Sequence, residues 1–272
     1  MIQTLYTGVT GLTGQQKNID VIANNISNIN TDGYIKSRFD FQDCLYVTMR
    51  APHPASNGPE KNLQRGNGAI EYQTARIFQE GAHVETGRAL DFTLTGRGFF
   101  VVANPFPDEN YEGEADQSVL LVRGGNFHVS AEEDGAYYLV DSQNRYVLNA
   151  EGERIELPQN AAIEGIQCSQ DGILSYVDAS GVTVEFAQFQ ILDFVNPGGL
   201  ADAGNGAFIQ TENSGEIIEN TAAVLQRRLE SSNVDYADEV TRLIRAQRAY
   251  QLAARTITTA DQMMGIANGI RQ

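Results

Sequence analysis

Residues 235–270 read DYADEVTRLIRAQRAYQLAARTITTADQMMGIANGI, and this stretch decides the fold. Leu243, Tyr250, Ile257 and Met264 recur every seven residues, and Ala246, Ala253, Ala260 and Ala267 fill the intervening positions at the same period. That is a helical seam of the coiled-coil kind, with large residues at one core position and alanine at the other, so that a partner helix can approach closely. Asp235 is placed to cap the helix, and Asp238 and Glu239 put carboxylates in its first turn, where the helix dipole favours them. Arg242, Arg245 and Arg248 occupy one flank. Each aliphatic side chain buried along such a seam contributes about 1.5–3 kcal/mol, but only once a partner helix is present.

The opposite end of the chain carries a second seam. Ile2, Leu5, Val9, Leu12, Gln16, Ile19, Ala23 and Ile26 step by three and four, apolar except at Gln16. Gly8, Gly11 and Gly14 each cost a helix about 1 kcal/mol relative to alanine, so this helix is marginal alone. Thr31-Asp32-Gly33 is the expected stop, with Gly33 able to take the left-handed closing conformation. Asn24, Asn25, Asn28 and Asn30 crowd the last turns. Asparagine amides compete with helical hydrogen bonds, so these four mark either a fraying terminus or amides that bond to a neighbouring chain. Two amphipathic helices are ordinarily a hairpin inside one domain. Here they are the two ends of the chain, with about 200 residues of different character between them.

In that middle the hydrophobic period changes to two. Asp91–Thr95 alternates, Gly96-Arg97-Gly98 breaks it, and Phe99–Val102 reads as a strand buried on both faces. Further runs follow at Val119–Val122, Phe127–Val129, Tyr137–Val140, Tyr146–Leu148, Ile173–Tyr176, Val182–Phe186 and Phe189–Phe194, with turn signals such as Asp171-Gly172 between them. Short strands at this spacing predict an antiparallel β-domain. Residues 51–68, rich in Pro, Asn and Gly, read as a long connection or arm. The expected class is therefore α+β: terminal helices with coiled-coil seams at 1–32 and 225–272, an extended connector at 33–79, and a mainly antiparallel β-region at 80–224.

Charge follows the same partition. Residues 1–79 hold 7 basic and 6 acidic side chains, residues 225–272 hold 7 and 5, and residues 80–224 hold 5 and 24. A region at −19 repels phosphate backbones, which argues against nucleic-acid binding. No apolar run reaches the roughly 18 residues of a membrane span, and no basic and then apolar segment opens the chain, so neither membrane insertion nor a cleaved secretory signal is expected.

No catalytic, cofactor or metal constellation emerges. His53, His83 and His128 are scattered, and Cys44 and Cys168 stand in unrelated contexts, which excludes a disulfide scaffold and a cysteine zinc site. Gly66-Asn67-Gly68 and Gly96-Arg97-Gly98 lack the third glycine of a phosphate loop. Asp108, Asn110, Glu112 and Gly113 imitate half a calcium loop, but its twelfth position is Val119, not a bidentate Glu.

Three blocks carry a family resemblance. LYTGVTGLTGQQKNIDVIANNISNINTDGYIKSRFDFQD at 5–43, LDFTLTGRGFFVV at 90–102 with GNFHV at 125–129, and LESSNVDYADEVTRLIRAQRAYQLAARTITTADQMM at 229–264 resemble the bacterial flagellar rod and hook proteins. The resemblance implies a non-enzymatic subunit of the basal-body rod whose N- and C-terminal α-helices pair as a coiled coil, with the central β-domain outside it. The length, and the stretch from Leu45 through Gly87, resemble distal-rod subunits most, with proximal-rod subunits as the alternative. The acidic insert near 107–118 and Leu121–Gly125 depart from the family pattern. The implied partners are further copies of the chain in a helical tube, neighbouring rod and hook proteins, surrounding ring proteins, and the flagellar export apparatus. The implied assembly interface is Leu5, Val9, Leu12, Ile19 and Ile26 with Asn24, Asn25 and Asn28 on the first helix. On the second it is Leu243, Ala246, Tyr250, Ala253, Ile257, Ala260 and Met264. Two other classes compete: a β-domain binding module on a helical dimerisation stalk, and a peptidoglycan-cleaving enzyme, for which no acid–base pair is readable.

Overall fold

The computed structural model describes residues 2–50, 63–104, 119–132, 135–158, 163–178, 181–218 and 222–270. The acidic insert, the half calcium loop, His53 and most of the 51–68 arm lie outside the described residues. The chain divides into two units. One comprises 1–27, 37–76 and 235–272, and the other 28–36 and 77–234.

The first unit is built on two helices. The C-terminal helix, α2, runs Tyr236–Ile270, 35 residues or about 52 Å at 1.5 Å per residue. Asp235 caps it as expected: its Oδ1 accepts the N–H groups of Ala237 at 2.8 Å and Asp238 at 3.2 Å. Arg242 then reaches back to Asp238 at 2.8 Å. The N-terminal helix, α1, runs Ile2–Ser27 and so stops about one turn before the expected Thr31. The reason is local. Past Ser27, the Asn28 carbonyl accepts the Thr31 N–H at 3.2 Å and its Oδ1 accepts the Thr31 hydroxyl at 3.2 Å, a tight turn that replaces helical bonding. Gly33 does take the left-handed conformation, at φ +67°, but beyond the helix.

Residues 37–76, read from the sequence within an extended connector, contain an antiparallel ladder. Ser37–Asp43 pairs with Ala69–Arg76 with an irregularity at Asp40/Phe41, and Val47–Arg50 pairs with Leu63–Arg65. Phe39 and Phe41 meet edge to face at 4.9 Å.

The second unit is mainly antiparallel β. Its largest sheet has ten strands among the described residues. The strand Phe99–Ala103 pairs with Val119–Val122, Tyr146–Val147 and Ile191–Phe194. Phe100 and Val102 enter one core with Phe92, Phe127 and Phe189. Phe99 and Val101 enter a second with Leu121, Phe194 and Phe208. A strand between two cores needs apolar residues on both faces, which explains the unbroken run Phe99–Val102. In the first core Phe92, Phe100 and Phe127 pack around Phe189, with ring centroids 5.0–5.9 Å from it.

Candidate assembly interface

α2 presents a seam to α1. Ala246 and Ala260 are buried, and Leu243, Tyr250, Ala253, Ile257 and Met264 are half-buried on the same face. On α1, Leu5, Leu12, Ile19 and Ile26 are half-buried, one heptad apart. The alternate positions differ from the expected seam. Val9 is 50% exposed and Gln16 and Ala23 are exposed, while Gly8 and Ile22 are buried and Gln15 is half-buried. The packed face is therefore Leu5, Gly8, Leu12, Gln15, Ile19, Ile22 and Ile26. The physical reason is closeness. A Cβ on Gly8 would lie 2.9 Å from Ile257 Cγ1, so only glycine admits α2 at that level. A seam read from apolar residues alone takes Val9 and passes over Gly8.

The asparagines also divide. Asn25 is 1% exposed and fully engaged inside the chain. Its Nδ2 donates to the Ser37 carbonyl at 2.8 Å and to Glu239 Oε2 at 3.3 Å, and its Oδ1 accepts the Ser37 N–H at 2.9 Å. These three bonds tie the Asn25 amide to Ser37 and Glu239 of its own chain. Asn24 is exposed and Asn28 half-buried. Glu239, 1% exposed, was legible only as a dipole carboxylate. In the structure it lines a 340 Å³ cavity within this unit, with Oε1 lacking a hydrogen bond and lying 3.6 Å from the Arg242 guanidinium.

α2 also carries large apolar residues outside the expected seam, interspersed with Arg248, Arg255 and Thr259. Ile244, Leu252, Met263 and Ile266 are 45%, 63%, 51% and 65% exposed. At about 100° per residue, Ile244, Leu252, Met263 and Ile266 fall within an arc of about 100° on the side away from the Ala246–Ala260 seam. Arg248 and Arg255 share this arc and Arg245 sits at its edge, and among the described residues no ion pair engages the three. On α1, Tyr6 joins Val9 as an exposed apolar residue. On the ladder, Phe41, Leu45, Tyr46 and Ile70 are exposed, and a hydrogen bond to Asp43 raises the Tyr46 phenol above its ordinary range.

Chemistry-bearing groups elsewhere are engaged structurally. His83 Nδ1 lies 3.0 Å from Thr93 Oγ1 and its Nε2 lies 2.7 Å from Glu80, but Thr93 is fully buried, beyond the reach of a substrate. Among the described residues, no group of three or more His, Cys, Asp or Glu side chains is arranged to hold a metal ion, and no helix is long and apolar enough to cross a membrane.

Comparison with known proteins decides the family. A profile described as flagella basal body rod protein matches residues 5–34, and one described as flagellar basal body rod FlgEFG protein C-terminal matches 225–270. Those are the two helical ends. The chain is 35% identical to the flagellar basal-body rod protein FlgG of Borreliella burgdorferi, over 100% of both chains. It is 33% identical to that of Bacillus subtilis over 97% of each. The chain belongs to the flagellar basal-body rod protein family. The flagellar hook-basal body complex protein FlhP of Bacillus subtilis is 28% identical over the full length of both chains. Among solved structures, the flagellar hook protein FlgE2 of Helicobacter pylori is similar over 65% of this chain and 47% of its own, at 14% identity and a TM-score of 0.23.

Proposed function

We propose that this rod-family chain is a structural subunit of the distal rod that polymerises through its helical ends. The observation that carries the reading is the set of large apolar residues that α2 exposes outside its seam. Ile244, Leu252, Met263 and Ile266 leave apolar area in water that a further chain can bury, and Arg248 and Arg255 beside them supply charges that a partner's carboxylates can meet. Head-to-tail contacts that do not close a ring build a helical tube. In this reading α1 and α2 pair as a coiled coil along the seam from Leu5 to Ile26 and Leu243 to Met264. The helices Ile2–Ser27 and Tyr236–Ile270 form the inner wall, and the acidic region 80–224 faces outward. Its partners are copies of itself, neighbouring rod and hook proteins, the surrounding rings, and the export apparatus that delivers it. Its task is to carry torque, not to catalyse.

The test replaces Leu252 and Ile266 together by Lys. Both are exposed, so the single chain should keep its helical content and its stability within about 0.5 kcal/mol. Rods should fail to form, with the variant absent from purified basal bodies. Normal rods and swimming would refute the reading.

A further inference from the structure

The chain crosses between its two units at four peptide bonds: 27/28, 36/37, 76/77 and 234/235. Within the β-rich unit these crossings fall on three segments, 28–36, the stretch after 77, and the stretch before 234. Asn233 is bonded to all of them. Its Oδ1 accepts the Lys36 N–H at 2.8 Å, and its Nδ2 donates to the carbonyls of Ile77 and Gln79, both at 2.9 Å. These bonds use both donors of the carboxamide and one of the two lone pairs of its oxygen. Aspartate lacks the donors and serine has only one. Flipping the amide would set its oxygen against two carbonyls, so the orientation follows from the bonds.

Backbone bonds knit the same three segments. The Ile77 N–H donates to the Lys36 carbonyl at 3.0 Å, Asn233 N–H to Tyr34 at 3.3 Å, and Gly33 N–H to Glu230 at 2.8 Å. Glu230 ties the node to the sheet. Its Oε1 accepts the Gly81 N–H at 2.8 Å and its Oε2 accepts from Arg123 Nε at 2.6 Å. Arg123, just after Val119–Val122, donates from three of its other four N–H groups to the carbonyls of Leu94, Gly96 and Gly98.

We propose that Asn233 is a load clamp: it joins the three segments through which every chain crossing passes, so that strain arriving on one is shared by all. The clamp is a property of the single chain, and only its use under torque rests on the rod-subunit reading. The test is amide hydrogen exchange on the full chain carrying Asn233→Ala or Asn233→Asp. Asp keeps the acceptor for Lys36 but turns an oxygen toward the two carbonyls. A clamp predicts that both variants speed exchange at least tenfold at Gly33, Ile77 and residue 233 together, while Val101 and Leu139 in the sheet stay protected. Faster exchange at Lys36 alone would overturn the proposal, because the bonds would then be independent. Loss of protection through the whole sheet in both variants would also overturn it, since a clamp leaves the core intact. In cells, rods of the Ala variant should assemble but fail in viscous medium, shedding hooks. Full swimming there would overturn the load-bearing role. Absence of the wild-type chain from basal bodies would defeat the rod reading and leave the exchange result standing.

Discussion

Gly8 and Gly11 lie on one helix, three residues apart, and replacing each by alanine separates propensity from packing. Either substitution removes the backbone freedom of glycine and favours the helix by about 1 kcal/mol. At Gly11 no atom lies within 4 Å of the new Cβ, so the whole gain should appear in the single chain. At Gly8 the new Cβ falls 2.9 Å from Ile257 Cγ1 and 3.5 Å from its Cδ1, with the Ala253 carbonyl oxygen at 4.0 Å. Carbon atoms settle at about 3.5–4.0 Å, so Ile257 must move by about 0.6 Å or more. Cγ1 is not a free end. Moving it rotates χ1 of a β-branched residue, at about 0.5–1.5 kcal/mol for an off-rotamer displacement, and overpacking of a close interface costs about 1–3 kcal/mol. Gly8→Ala should therefore range from neutral to about 2 kcal/mol destabilising, while Gly11→Ala stabilises by about 1 kcal/mol. The assay is urea unfolding of the full chain followed by helical circular dichroism, comparing midpoints at unchanged slope. If Gly8→Ala proves as stabilising as Gly11→Ala, α2 does not approach α1 at glycine distance and the corrected seam is wrong.

In the same titration Asn25→Ala should cost about 2–4 kcal/mol, since it strips partners from both Ser37 backbone groups and from buried Glu239. Asn24→Ala, at an exposed position, should stay within about 0.5 kcal/mol, and equal effects would deny Asn25 its special role. Arg123→Met leaves Glu230 buried without its guanidinium and should destabilise the β-rich unit by about 3–5 kcal/mol in thermal unfolding, with Arg123→Met/Glu230→Leu recovering part of the loss. An undiminished loss in the double variant would place the cost in packing. Burial pushes the Cys168 thiol up from 9.0 to about 12. The unfolded chain then ionises first, so the stabilisation held below pH 9 is lost as pH rises from about 9 toward 12. Wild type should lose stability over that range faster than Cys168→Ala, and parallel curves would contradict the burial.

The legible parts of the fold were those where one element repeats one rule. The α2 seam was readable because Leu243, Tyr250, Ile257 and Met264 hold a period of seven without interruption. Phe99–Val102 was readable as a doubly buried strand because nothing polar breaks it. The phase of α1 was half readable. Leu5, Leu12, Ile19 and Ile26 fix one line of the seam, but the choice between Val9 and Gly8 for the other depends on how near the partner comes, which hydrophobicity does not encode. The ladder Ser37–Asp43 with Ala69–Arg76 stayed hidden because its strands are more than 20 residues apart and its text is mixed. The same holds for Phe92–Thr95, which pairs with Ala223–Gln226 at the far end of the β-region. Asn25 and Asn233 look like other loop or helix-end asparagines until the carbonyls they meet are known.

The exposed apolar residues of α2 raise a different point, because their spacing was present in the sequence and outweighed by a stronger one. Ala246 and Ala260 lie on the packed side, and Ile244, Leu252, Met263 and Ile266 on the other. Burying a large aliphatic side chain fully is worth about 1.5–3 kcal/mol, so four that are about half to two-thirds exposed leave several kcal/mol unrealised in the single chain. A protein meant to stay alone gains by placing polar residues there, as α1 does with Gln16 and Asp20. Arg248 and Arg255 hold that face in water until a partner arrives, at little cost to the packed seam. A helix that packs one side on its partner and leaves further large residues on the other withholds part of its stability for the moment of assembly. Lysine at Leu252 and Ile266 would then be silent in the monomer and decisive in the rod.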